Sequence, residues 1–140
     1  MTYKPIIIVA GEPNSIFFEI YFKAISYKKF RSPLILIASL NLIELQIKKK
    51  NIKKKIRCLN FLRLNKYKLD NNCINLIDVN YMQSKPFEKI SIRSKDYITK
   101  SFDLALNILL LVLLSSCLHQ KYRHFHSVDL IQLFLFLVFF

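Results

Sequence analysis

Glycine is almost missing from this sequence. The 140 residues contain one, Gly11, against an average usage of about 7%. A domain of this size normally places several glycines in turns, because glycine takes left-handed backbone without a steric penalty. Tryptophan is absent, and proline, alanine and arginine are scarce. Cysteine occurs three times, as Cys58, Cys73 and Cys117. The number is odd, the spacing is wide, and there is no CxxC pair or His-linked zinc spacing. That excludes a disulfide framework and leaves buried free thiols in a reducing cytoplasm as the expectation. No secretory signal is expected either. The first apolar run breaks at Gly11 and Glu12, too early for a signal peptide's apolar core.

Acidic residues are few: nine, against 22 lysines and arginines, for a formal net charge of +13. Such a balance suits nucleic acid or an anionic membrane surface. Two observations weigh against a selected basic surface. Lysine outnumbers arginine 17 to 5, although arginine is the better reader of phosphate. The residues in excess (Lys, Ile, Asn, Phe, Tyr, Leu) are those with codons rich in A and T. No nucleic-acid partner is therefore expected. The length fits one domain at most, and a hydrophobic share of 53% is enough for a real core.

What is present follows an alternating order. Residues 5–10, PIIIVA, form a β-branched run that suits a strand buried on both faces. Gly11 to Ser15 is a turn. Ser15 and Glu19 open a helix over about 16–30, with Ile16, Phe17, Ile20, Phe22, Ala24 and Ile25 as its apolar positions. Ser32-Pro33 ends it. LILIAS, 34–39, is a second buried strand, and Leu40 to Lys49 a second helix. IRCLNFL is short and strand-like, INLIDV at 74–79 is a third good strand, and Ser94 to Leu114 reads as a long helix. This βαβα order marks an α/β fold with parallel strands.

The steepest charge run is KKKNIKKK, residues 48–55. It suits a phosphate or headgroup contact. It equally suits a solvated helix end, where cations favour the negative end of the macrodipole. The run lacks interleaved aromatics and an arginine fork, which favours the helix end.

Composition breaks near residue 108. Sixteen of the 17 lysines and all ten asparagines precede it; ten leucines, all three histidines and no glycine or proline follow. Two readings fit this hydrophobic tail. One is a membrane-seeking segment. The other is the product of a shifted reading frame near residue 108, never selected to fold. Leu104 to Leu118 and Leu130 to Phe140 both fall short of the ~20 apolar residues of a spanning helix. The His124-x-His126 pair has only Asp129 nearby, short of the usual three or four metal ligands.

A strand running into Gly-Glu-Pro and then a helix places backbone N–H groups at the carboxyl edge of a sheet, where open α/β folds hold ligands. The residues here, IIIVAGEPNSIFFE, resemble the opening segment of 4-hydroxythreonine-4-phosphate dehydrogenase, a family of pyridoxal phosphate biosynthesis. Gly11, Glu12, Pro13, Ile16 and Glu19 match that family's Gly-Glu-Pro-Ala-Gly-Ile-Gly-Pro-Glu. SPLILIAS, LNLIELQIKKKNIKKKIRCLN, CINLIDVNYMQSKPFEKI and DYITKSFDLALNIL are similar to its following elements in order, so that the likeness spans about residues 4–109. Ser15, Phe17 and Phe18 stand where the family has two glycines and a second proline.

The resemblance implies a partial isocitrate/isopropylmalate dehydrogenase-like α/β fold with a mostly parallel sheet. It implies residues 1–109 as part of the first domain, with 110–140 as an aberrant or membrane-seeking tail. It further implies NAD-dependent oxidation of a small phosphorylated substrate, a divalent metal acting as Lewis acid, and a cleft built by both subunits of a homodimer. It places Gly11, Glu12 and Pro13 at the cofactor-side edge of that cleft. It assigns no catalytic or metal residue within 1–109, and His119, His124 and His126 do not stand in the family's context. The expectation is thus a truncated, inactive, cytoplasmic enzyme fragment. The alternative is a small basic protein attached to a membrane through its tail.

Overall fold

A computed structural model describes residues 3–88 and 92–120, with side chains of the last helix described as far as Val112. Its elements run β1 (Ile6–Val9), α1 (Phe17–Tyr27), β2 (Leu34–Ala38), α2 (Leu40–Lys50), β3 (Ile56–Cys58), a 3-10 turn (Phe61–Lys66), β4 (Ile74–Asp78) and α3 (Ile92–Gln120). The four strands form one all-parallel sheet in the order β1-β2-β4-β3. Register is set by pairs such as Ile7 with Ile35, Leu36 with Leu76, and Ile56 with Ile74. The expected α/β fold with parallel strands is the one observed.

The two central strands are the most completely buried. Every residue of β2 is buried, as are the first four of β4. Helices or loops cover both faces of a parallel sheet, so a central strand has no polar face to show. At the edge, β1 alternates between half-buried and buried, and β3 is three residues long with no fully buried position. This corrects the expectation for the thiols. Cys58 ends an edge strand and is exposed, and Cys73 is half-buried; the side chain of Cys117 lies outside the described residues.

Helix α1 lies where expected, and of its expected apolar positions Phe17 and Phe22 are buried, joined by Phe18 and Tyr21 in place of Ile16 and Ile20. Phe17, Phe18, Tyr21 and Phe22 face the core, while Ile16 and Ile20 are about half exposed, at 56% and 47%. Four adjoining rings remove more apolar area from water than the isoleucines would, and they pack ring to ring with centroids 5.4–6.3 Å apart. Glu19 does not cap the helix; its carboxylate meets Lys23 at 3.3 Å and Lys50 at 3.5 Å.

The lysine run finishes α2. Lys48, Lys49 and Lys50 occupy its last turn, where their charge complements the helix dipole. Asn51 then ends the helix in the left-handed region with φ 50°. Asparagine is the best substitute for glycine there, which is how a chain with one glycine closes this helix. Lys49 lies over the Phe87 ring at 4.5 Å.

Helix α3 packs against β1 and β2, burying Tyr97, Ser101, Ala105 and Ile108. The helix is continuous across 109/110, where the sequence suggested a domain boundary. Burial, however, stops at the composition break: beyond Ile108, none of the described side chains 109–112 is buried. The tail segment 121–140, with His124, His126 and Asp129, lies outside the described residues. Among the described residues no helix is long and apolar enough to cross a membrane.

Candidate functional site

The carboxyl ends of β1, β2 and β4 meet at one edge, and each exit loop is tied by side chains. At the β1 exit, Ala10 N donates to Ile37 O at 3.0 Å, keeping the chain in the sheet until Gly11. Gly11 then turns left-handed, φ +66°, with nothing within 4 Å of the position a Cβ would take. Its glycine is therefore needed for conformation, and the space beside it is open. Glu12 folds back over the turn. Its Oε1 accepts from Asn14 N at 3.2 Å and Asn14 Nδ2 at 3.4 Å. Its carbonyl accepts from Ser15 N and from Ser15 Oγ, at 3.2 and 2.8 Å. Ser15 Oγ in turn accepts from Phe17 N at 3.2 Å. Pro13 is buried within the turn.

The sequence thus places Gly11, Glu12 and Pro13 together at the sheet's carboxyl edge. The amides of Asn14, Ser15 and Phe17 are engaged inside the turn. A phosphate arriving here would meet the Glu12 carboxylate rather than those amides, so the turn as folded is not a phosphate cradle of the kind glycine-rich loops provide.

Ser39 organises the β2 exit. Its hydroxyl donates to Tyr81 O at 2.6 Å and accepts from Leu42 N at 3.5 Å, capping α2. Its amide donates to the Tyr97 hydroxyl at 3.1 Å, joining β2 to α3 across 58 residues. Burial holds the Tyr97 hydroxyl well above the ordinary tyrosine range, so it stays neutral. Asp78, at the end of β4, accepts from Leu40 N at 2.8 Å, so strand β4 helps satisfy the first turn of α2.

Loop 80–88 closes over this edge. Asn14 Oδ1 accepts from Glu88 N at 2.8 Å, joining the β1 exit to the loop across 74 residues. Glu88 Oε1 gathers Ser84 N, Ser84 Oγ and Lys85 N at 2.9–3.3 Å. The Ser84 amide is the chief reason its carboxyl is held below the usual range. Asn41 Oδ1 accepts from Gln83 N at 3.0 Å, and Gln46 Nε2 donates to Pro86 O at 3.0 Å. Between this loop and α3 lies a cavity of about 250 Å³, lined by Asn80, Tyr81, Met82, Arg93, Asp96, Tyr97 and Lys100. Two cations and one carboxylate leave it net positive. Its size is below the ~300–1,000 Å³ of whole-ligand pockets and suits a phosphate-sized group.

Sequence reasoning did not find Ser39, Tyr97, Arg93 or Lys100. Ser39 carries a local signal, as a serine just before an amphipathic run. The others become neighbours of the edge only through the packing of α3. Among the described residues no three His, Cys, Asp or Glu side chains group closely enough to hold a metal ion.

An open parallel sheet with helices packed on it and a loop-lined carboxyl edge defines an open α/β unit of the kind that holds ligands at that edge. Solved structures specify it further. The chain is similar to a protein assigned as 4-hydroxythreonine-4-phosphate dehydrogenase from Salmonella typhimurium, at 25% identity and a TM-score of 0.59, covering 74% of this chain and 34% of that one. It has the fold of a 4-hydroxythreonine-4-phosphate dehydrogenase from Burkholderia phymatum, with a TM-score of 0.66 at 14% identity, covering 92% of this chain and 42% of that one. The likeness read from the Gly-Glu-Pro segment is thereby met in three dimensions. The chain spans less than half the length of either relative. No protein-family profile and no curated protein sequence matches it.

Proposed function

We infer that this chain is part of the first α/β domain of a 4-hydroxythreonine-4-phosphate dehydrogenase-type oxidoreductase and forms one wall of a catalytic cleft. The observation that carries the reading is the superposition on two dehydrogenases of that description, one of them matching over 74% of the chain at 25% identity. The reaction it would serve is NAD-dependent oxidation of a small phosphorylated hydroxy substrate, in the cytoplasm, by a homodimer. The open space beside Gly11 supports an edge that a cofactor approaches, with Glu12 and Pro13 shaping it. The cavity at Arg93 and Lys100 supports a place for a phosphate group.

NAD would supply the hydride acceptor and a divalent ion the Lewis acid. The described residues offer neither an amide cradle at the turn nor a metal-ligand group, so no step through either group is assigned to them. Their role is to orient and exclude water: Ser39, Tyr97 and Asp78 hold the edge, and loop 80–88 covers it. The polypeptide alone is proposed not to turn over substrate.

The test is a chimaera in which residues 4–109 replace the matching segment of an active 4-hydroxythreonine-4-phosphate dehydrogenase. A folded, dimeric chimaera that forms NADH supports the reading. One that is folded and dimeric but makes none contradicts it.

A further inference from the structure

The opposite end of the sheet holds a larger cavity than that beside Arg93, about 780 Å³, where the segments leading into β2, β3 and β4 meet the C-terminal end of α1. That volume falls within the ~300–1,000 Å³ of small-molecule sites. Its floor is built. Asn71 Oδ1 accepts from Leu34 N at 2.8 Å, and Asn71 Nδ2 donates to Phe30 O and Ser32 O at 3.0 and 2.8 Å. Lys54 Nζ donates to Asn71 O at 2.8 Å. Ile25, Pro33, Leu34 and Leu69 give the wall an apolar part.

Charge at the rim is one-sided. Lys28, Lys29, Arg31 and Lys53 line it, are exposed, and form no ion pair among the described residues. The single carboxylate, Asp70, is already engaged by Arg57 at 3.4 Å and by the Asn72 amide at 2.8 Å. Four like charges around one opening repel each other, and a polyanion seated between them relieves that cost. A second observation points the same way. Tyr21 lines the cavity at only 6% exposure, yet its hydroxyl makes no hydrogen bond among the described residues. Among the described residues the enclosed polar side-chain atoms without a partner are Gln46 Oε1 and Gln83 Oε1; the Tyr21 hydroxyl instead opens onto the cavity, where a ligand can reach it. Burial pushes the hydroxyl far above the ordinary tyrosine range, so it remains a neutral O–H donor.

We propose that this amino-end cavity binds a small molecule of nucleotide size, its phosphate chain on Lys28, Lys29, Arg31 and Lys53 and its ring body against the apolar wall within reach of the Tyr21 hydroxyl. A bare anion would leave the apolar wall and Tyr21 unused. An RNA strand would want exposed aromatic platforms, whereas the ring here is at the bottom of a concavity. The site lies away from the Gly11 edge and does not rest on the dehydrogenase reading.

Calorimetric titration of the full chain with ATP, pyrophosphate, adenosine and a uridine 20-mer tests it. ATP is expected to bind about tenfold tighter than pyrophosphate or adenosine, the loss of one charged or apolar contact set. Lys29→Gln with Lys53→Gln is expected to weaken ATP about tenfold, and Tyr21→Phe about threefold. A control pair outside the cavity, Lys48→Gln with Lys66→Gln, should stay within about twofold, as for screened surface charges. Circular dichroism confirms that each variant is folded; the lysines are exposed, so folding is not at stake. The proposal is overturned by absent ATP binding, by equal loss in the control pair, by pyrophosphate binding as tightly as ATP, or by tighter binding of the uridine 20-mer.

Discussion

The two ends of the sheet use their polar groups differently. At the carboxyl end, side chains reach across 38 to 74 residues to backbone partners: Asp78 to Leu40, Ser39 to Tyr81, Tyr97 to Ser39, Asn14 to Glu88. The turn amides of Asn14, Ser15 and Phe17 are already engaged by Glu12 and Ser15. At the amino end one asparagine ties the floor together, while four cations and the Tyr21 hydroxyl face the cavity without a hydrogen-bond or ion-pair partner among the described residues. The edge that open α/β folds reserve for ligands is structurally tied, and the spare binding capacity lies at the other end. Position in a fold suggests where ligands sit; only the hydrogen-bond inventory says which groups remain to hold them.

Substitutions can break this contrast. The largest effect is expected for Tyr97→Ala, which empties a core position and strips the Ser39 amide of its acceptor. Denaturant unfolding should show a loss of about 3–5 kcal/mol, with Tyr97→Phe, which removes only the hydroxyl, losing about 1–3 kcal/mol. Asn71→Ala, the counterpart at the amino end, removes three backbone contacts from the cavity floor and should cost about 2 kcal/mol. If Asn71→Ala cost more than Tyr97→Ala, the amino end would be the better-tied of the two. Gly11→Ala keeps the packing, since nothing stands near the added methyl, but forces a left-handed alanine; about 1–2 kcal/mol should be lost.

Acid gives the smallest and most diffuse effect. Glu88, Asp70 and Glu19 all have carboxyls held below their ordinary range, by the Ser84 amide, the Asn72 amide and Lys23 respectively. A depressed folded value means the stabilisation is fully present above the unfolded value, about pH 4, and is lost as pH falls through the folded values. Thermal midpoints should hold from neutrality down to about pH 5 and fall below about pH 4. Glu88→Gln should shrink that acid-side fall. An unchanged acid profile in that variant would remove Glu88 from the tied edge.

The strands were the most legible part of the sequence. PIIIVA, LILIAS and INLIDV are β-branched or leucine-rich runs that suit parallel strands, and each forms one within a residue or two of its expected bounds. The expected burial on both faces holds for β2 and most of β4, while β1, at the sheet edge, is half-buried at alternate positions. The lysines at 48–50 mark the C-terminal end of α2, whereas Ser39, expected as the last residue of a strand, is the cap of that helix. The buried face of α1 is legible in part: Phe17 and Phe22 stand among the expected apolar positions, but periodicity counts such positions equally and so ranks Ile16 and Ile20 with them, whereas the rings at 17, 18, 21 and 22 have more area to bury. IRCLNFL has a strand's composition but gives only three paired residues before the 3-10 turn, since a sheet edge demands little pairing. Strand order, the Tyr97–Ser39 contact and the amino-end cavity, drawn from segments around 28–31, 53–54 and 69–72, depend on non-local closure. No local pattern carries that information. The residues before the composition break build the core, and Ile108 is the last described side chain to enter it.

The central functional claim, that this polypeptide is one wall of a dehydrogenase cleft and not a complete catalyst, meets its most direct test in NADH absorbance. Purified chain is incubated with NAD, magnesium and 4-phosphohydroxy-threonine, beside an active dehydrogenase of the same type. The account predicts no NADH above the enzyme-free blank. Sustained NADH formation proportional to the amount of chain would contradict it.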